Sequence, residues 1–270
     1  IPGSVVAFGV LLYSAQQYGD FSGGIDMVEA ASSLFGVRMA ENFRRPYFSV
    51  SLADFWRRWH VTLGAWMRDY VFFPFAVSRP MRALGARASR LGEHLGRTLP
   101  ACAANVLVFL IVGLWHGAEP HYVAWGLYNG LVIALADLLA PAFRRANAAL
   151  RVDTGSRARR AFCVLRTFLV VNLGWYFDRI YDFGDSLLCL RNTFTNFAPQ
   201  QFYLWLMQAG VRDSDLKFMA FSAVACLFVF AVSLAQERGV DVSERILGWN
   251  CVARGLFYSA VIGLIVITSF

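Results

Sequence analysis

Charge is scarce in this chain of 270 residues: 16% are Asp, Glu, Lys or Arg, against roughly a quarter in an ordinary soluble domain. Lysine is nearly missing, Lys217 being the single one among 25 basic residues. The five cysteines (Cys102, Cys163, Cys189, Cys226 and Cys251) show no CxxC or CxxH spacing, and four fall in apolar segments. That pattern argues against a disulfide framework, a thiolate metal site or a thiol nucleophile. No GxSxG elbow, Walker loop, GxGxxG turn or HExxH pair occurs. The usual hydrolase, nucleotide and metalloprotease sites therefore lack their residues. Internal repeats and low-complexity stretches are also missing.

What is present is apolar and aromatic. Hydrophobic residues make up 57% of the chain, with 24 Phe, 10 Tyr and 8 Trp, and the mean hydropathy is +0.48. A soluble globule of this size could not hide so much apolar surface, so the composition predicts an all-α, polytopic membrane protein. Apolar segments fall near residues 3–15, 101–116, 121–140, 161–177, 218–236 and 251–270. Each approaches the ~20 residues a helix needs to cross ~30 Å of hydrocarbon. The net charge of +7 is carried between these segments, which reads as cytoplasmic loop charge rather than as a nucleic-acid surface. Two arginine-rich loops, 79–97 and 144–160, flank the pair 101–116 and 121–140 and are predicted to share the cytoplasmic side, where they could meet anionic membrane lipids or an acidic carrier.

Residues 18–80 read differently. Asn42, Arg44, Arg45, Pro46 and Tyr47 form a polar break, and Ser51-Leu52-Ala53-Asp54 supplies a helix-capping box. From there Phe55, Trp59, Leu63, Trp66 and Tyr70 recur at helical spacing. The pattern predicts one amphipathic helix with an aromatic face, interfacial or re-entrant, lining an internal site.

Of the four histidines, His94 lies in a basic loop and reads as solvated. His60 ends an Arg-Arg-Trp-His run, His116 sits between Gly113 and Gly117 at the end of an apolar run, and His121 follows five residues later. An ionisable group at membrane depth usually faces a cavity, and a buried imidazole stays neutral and basic. The competing reading for each is a core histidine bonded to a carbonyl. Asp20, Asp26, Glu29, Asp54 and Asp69 are explained more simply by capping and ion pairing than by acid–base work.

Three runs, Tyr18-Gly19-Asp20-Phe21-Ser22-Gly23, Glu41-Asn42-Phe43-Arg44-Arg45-Pro46-Tyr47 and Asp54-Phe55-Trp56-Arg57-Arg58-Trp59-His60, occur in that order. They are followed by Trp66-Met67-Arg68-Asp69-Tyr70-Val71, Gly113-Leu114-Trp115-His116-Gly117 and Trp125-Gly126-Leu127-Tyr128-Asn129-Gly130. Together they resemble the membrane-bound O-acyltransferases, in the bacterial branch of alginate O-acetyltransferases and teichoic acid D-alanyltransferases. The resemblance covers most of residues 10–135. It implies a helical bundle around a central funnel, with His116 catalytic, His60 as second active-site histidine, and Asn42, Arg58, Trp59 and Trp115 binding substrate. It also implies no bound cofactor. The co-substrate would be an acyl thioester, acetyl-CoA or a cytosolic acyl carrier protein, delivering acetyl or D-alanyl to a cell-envelope polysaccharide or teichoic acid at a bacterial plasma membrane. Relatives often work with an extracytoplasmic or membrane-anchored partner acyltransferase. Members carry further membrane helices before the Asp-Phe-Ser-Gly run, so residues 1–270 are expected to form a single catalytic region from the carboxy-terminal part of a longer chain. The rival readings from the residues are a transporter, for which inverted repeats are missing, and a non-catalytic scaffold.

Overall fold

A computed structural model describes residues 1–268. The chain divides into two compact units, Ile1–Val211 and Arg212–Phe270. In the first, α1 (Gly3–Leu34) leads through an irregular segment to α2 (Leu52–Arg58) and α3 (Val61–Met67). A π-turn, Arg68–Phe72, joins α3 to α4 (Phe73–Ala76) and α5 (Arg79–Ala88). The long helices α6 (Glu93–His116), α7 (Pro120–Leu138) and α9 (Arg157–Arg179) follow, with α8 (Ala140–Ala149) between the last two. Helices α10 (Phe183–Thr195) and α11 (Phe202–Gln208) complete the unit. The second unit holds α12 (Asp213–Glu237), α13 (Val242–Leu247) and α14 (Cys251–Thr268). Among the described residues there is no strand, only the isolated antiparallel bridge between Phe43 and Trp59.

The all-α expectation is met. Helices α6, α9 and α12 are long and apolar enough to cross a membrane, and α7 with α8 forms a fourth span if the pair is counted as one. That pair bends by 55° where Pro141 denies the ladder an N–H donor. Large apolar side chains on α12, Phe218 and Phe228 among them, are exposed, as suits a lipid-facing helix. Stretch 3–15 is only the start of α1, whose later turns carry Gln16, Gln17, Asp20, Asp26 and Glu29; α1 is not among the helices apolar enough to span. The final apolar stretch forms a shorter helix over Cys251–Ile267, and residues 269–270 lie outside the described residues. The two basic stretches are largely helical, in α5, the start of α6, and α8. His94 is half-buried rather than solvated, its Nε2 lying 3.2 Å from the Leu138 carbonyl oxygen.

The main correction concerns residues 52–76. Ser51 caps α2 as expected, its Oγ accepting from the Asp54 N–H at 3.1 Å, while Asp54 Oδ2 accepts from the Val50 N–H. The single amphipathic helix then fails to form. Trp59 is extended and His60 is left-handed, with φ 48° and ψ 57°. The break is tertiary in origin: residues 42–44 run antiparallel to the bend, with Arg44 N–H donating to Arg58 O at 2.9 Å and Val61 N–H donating to Asn42 O at 3.1 Å. The expected aromatic face is accordingly split. Phe55 and Trp59 are buried in the core with Trp175, half-buried Tyr47 packing against them, whereas Trp66 and Tyr70 are exposed.

Helices α6 and α7 form an antiparallel hairpin at van der Waals contact. A Cβ at Gly126 would overlap the Phe109 carbonyl oxygen, and one at Gly113 would lie 2.5 Å from the Tyr122 carbonyl oxygen. Small residues at these positions are what allow two backbones to touch. Polar cross-links then fasten neighbours: Trp56 Nε1–H donates to Asn129 Oδ1 at 3.0 Å, Tyr128 O–H to Val170 O at 2.7 Å, and Ser14 O–H to Asn172 Oδ1 at 2.7 Å.

Candidate active site

A cavity of about 980 Å³ lies in the first unit, and both His60 and His116 line it. Its α6 wall is one helical stripe, Asn105, Val108, Phe109, Val112, Trp115 and His116, a run of about 16 Å at 1.5 Å per residue. Arg57 and Asp137 stand on the wall as well as Asn105, and Gln17 and Asp178 as well as His116. Aromatic rings of Trp56, Trp59, Trp125 and Trp175 make up much of the remainder.

His60 reaches the cavity because the α2–α3 bend turns it there. Its left-handed backbone is a conformation that a residue with a Cβ holds at a cost of about 1–2 kcal/mol. Such strain persists where surrounding contacts over-determine it. Here those contacts converge on one buried amide. Asn42 Oδ1 accepts from the Thr62 N–H at 3.2 Å and the Thr62 hydroxyl at 2.7 Å, and lies 3.1 Å from His60 Nδ1. A backbone N–H only donates, so the Asn42 atom that it meets is the oxygen, and Asn42 Nδ2 separately donates to Ala40 O. His60 Nδ1 therefore carries the proton, and Nε2 presents a lone pair. Phe21 meets the imidazole edge-on at 4.9 Å. Burial first, and the neighbouring His116 second, hold His60 below the ordinary imidazole pKa, so it is neutral at pH 7.

His116 is the last residue of α6, at the tip of the α6–α7 hairpin. Its ring packs between Trp115 (5.0 Å between centroids), Trp125 (5.1 Å) and Tyr122 (5.9 Å). Among the described residues neither ring nitrogen is hydrogen bonded, and the side chain is exposed. The arrangement presents two imidazoles to one space, one with a fixed tautomer and one with both nitrogens available. A hydroxyl entering there meets lone pairs capable of accepting its proton.

The other residues singled out by sequence separate into two groups. Trp59 and Trp115 line the cavity. Asn42 and Arg58 are not part of its wall: Asn42 is spent on His60 and Thr62, and Arg58 lies 3.3 Å from Asp54 across one helical turn. His121 is buried with Nδ1 donating to Phe177 O at 2.8 Å, the carbonyl-bonded alternative. Sequence reasoning passed over Asp178, a buried carboxylate on the cavity wall. Its position at the end of an apolar run was a usable signal, because charge at membrane depth is rarely idle.

Comparison with known proteins places these features in context. The sequence profile of the MBOAT, membrane-bound O-acyltransferase family matches residues 3–88 and 90–173. The chain is 34% identical over 193 residues to the probable alginate O-acetylase AlgI of Azotobacter vinelandii, covering 67% of this chain and 33% of that protein. It is 31% identical over 181 residues to the peptidoglycan O-acetyltransferase of Helicobacter pylori, covering 67% and 30%. To the teichoic acid D-alanyltransferase of Bacillus subtilis it is 29% identical over 167 residues, covering 61% and 38%. The chain thus spans about a third of the length of the curated relatives it matches.

Proposed function

The chain belongs to the membrane-bound O-acyltransferase family, and from that premise we propose that it carries the catalytic region of an integral-membrane O-acyltransferase in a bacterial plasma membrane. The reaction moves an acetyl or D-alanyl group from a thioester, on coenzyme A or an acyl carrier protein, to hydroxyls of a cell-envelope polysaccharide or teichoic acid. Relatives named for alginate, peptidoglycan and teichoic acid support that acceptor class. Completion of the transfer by an extracytoplasmic or membrane-anchored partner belongs to the same proposal.

The observation that carries the reading is that His116 and His60 share one cavity, with His116 free of hydrogen bonds among the described residues. His116 takes the proton from the acceptor hydroxyl as its oxygen bonds to the thioester carbonyl carbon. The carbon–sulfur bond then breaks, the thiolate leaves, and the proton passes from His116 to sulfur. General-base help of this kind contributes ~10²–10⁴-fold. Neutral His60, protonated on Nδ1, cannot donate from Nε2 to an oxyanion. It orients the acceptor instead, accepting a hydrogen bond at Nε2. Trp59 and Trp115 supply apolar wall, and Asn42 positions His60.

Transfer of labelled acyl groups from thioester to polymer in membranes holding the protein is the test. His116→Ala is expected to lower the rate at least about 100-fold, and His60→Ala less. Wild-type transfer by the His116→Ala protein would overturn the assignment.

A further inference from the structure

We propose that Asp178 is a positioning residue for acyl transfer: its carboxylate, clamped by Tyr13 and Gln17, faces the cavity of His116 and stabilises the positive charge His116 acquires with the acceptor's proton. The inference rests on His116 being the base.

Asp178 is the penultimate residue of α9, a helix apolar enough to span a membrane, and it is only 9% exposed. A carboxylate so placed is expensive unless its oxygens are engaged or its charge is used. Two donors one turn apart on α1 meet a single oxygen: Tyr13 O–H at 2.7 Å and Gln17 Nε2–H at 2.9 Å, both on Oδ2. Gln17 also contacts the Tyr13 hydroxyl. Oδ1 accepts no hydrogen bond among the described residues, although Asp178 is part of the cavity wall. The adjacent Arg179 does not neutralise it: that guanidinium lies over the Tyr13 ring, 5.7 Å from its centroid, and makes no ion pair with Asp178 among the described residues.

The backbone fixes this carboxylate relative to His116. His121, five residues beyond His116, donates from Nδ1 to the carbonyl of Phe177, the residue before Asp178. The hairpin tip and the end of α9 are thereby tied together. Asp178 and His116 line the same cavity. The other titratable groups at this end are His60 at the α2–α3 bend, Glu119 in the hairpin turn, Tyr122 on α7, Tyr181 after α9, and Tyr13 on α1. Glu119 lies beside Gly117 and is not part of the cavity wall, and Asp137, the wall's other carboxylate, stands at the end of α7 away from the hairpin tip. Asp178 is thus the carboxylate on the wall that is tied to the hairpin tip, where His116 must become cationic.

The test measures kcat and KM for the acceptor against pH in membranes containing wild type, Asp178→Asn, Asp178→Glu and Tyr13→Phe. For Asp178→Asn, kcat is expected to fall roughly tenfold or more with acceptor KM little changed, and the acid limb of the profile to move about one unit or more to lower pH. Asp178→Glu should recover part of the rate, and Tyr13→Phe, which keeps the carboxylate but removes one clamp, should lose a few-fold. If Asp178→Asn does not accumulate in membranes, Tyr13→Phe alone decides, with an unchanged kcat overturning the proposal. A rise in KM with kcat and profile unchanged would also overturn it, because Asp178 would then only contact the acceptor. Failure of the base assignment shows separately, as wild-type transfer by His116→Ala.

Discussion

The α2–α3 bend that presents His60 and the α6–α7 hairpin that presents His116 solve the same problem with different materials. At the bend a left-handed residue is held by two backbone hydrogen bonds from a neighbouring segment and by the buried amide of Asn42. At the hairpin no strained residue is needed, because glycines let two helices meet backbone to backbone and His116 simply stands as the last residue of α6. Polar bracing concentrates its cost in a few groups, so one lost acceptor is felt at once. Close backbone packing spreads its support over many atoms but tolerates no added volume.

The sharpest way to break this contrast is Gly126→Ala. The added Cβ overlaps the Phe109 carbonyl oxygen, so the hairpin must open, at an expected cost of about 3 kcal/mol or more. Detergent-extracted protein should lose its cooperative thermal transition, and transfer should fail with it. Next in size is Asn42→Ala, which strips His60 Nδ1–H and the Thr62 N–H of their acceptor at about 1–3 kcal/mol. The melting temperature should drop and kcat should fall, while Asn42→Asp, which keeps an oxygen there, should restore much of both. A third effect is pH-dependent. Because the folded state holds His60 below its ordinary value of 6.5, the unfolded chain binds the proton more readily. This contribution to stability is full above pH 6.5 and is lost as pH falls through the lower folded value. Wild type should lose more melting temperature than His60→Gln between pH 7.5 and pH 5. The smallest effect is at Gly64 on α3, where a Cβ would sit 3.6 Å from the Trp56 carbonyl oxygen in ordinary contact. Gly64→Ala should stabilise slightly, by up to about 1 kcal/mol, and equal damage at Gly64 and Gly126 would remove the distinction between the two regions.

These regions were also unequally legible in the sequence. The hairpin was readable because two apolar runs flanked by arginine-rich segments, with glycine on both sides of Trp115-His116, encode it locally. The bend was not. Trp59 and His60 are neither glycine nor proline, and the helical spacing of Phe55, Trp59, Leu63, Trp66 and Tyr70 continues across the break. What stops the helix is residues 42–44, 15 or more positions away in the chain, and periodicity cannot register a distant partner. Asp178 was missed for a related reason: its role depends on Tyr13 and Gln17, about 160 residues earlier. The two histidines themselves were legible because their residue type and setting are rare among apolar segments.

The rings around His116 have an optical consequence. Trp125 is 2% exposed, stacks with Trp175 at 6.4 Å and touches His116 edge-on at 5.1 Å. An imidazolium quenches the emission of an adjacent indole more strongly than a neutral imidazole does. The protein therefore carries a fluorophore beside the proposed base. The part of its intrinsic fluorescence that titrates in wild type and disappears in Trp125→Phe reports the protonation of His116 in the absence of any acceptor or donor.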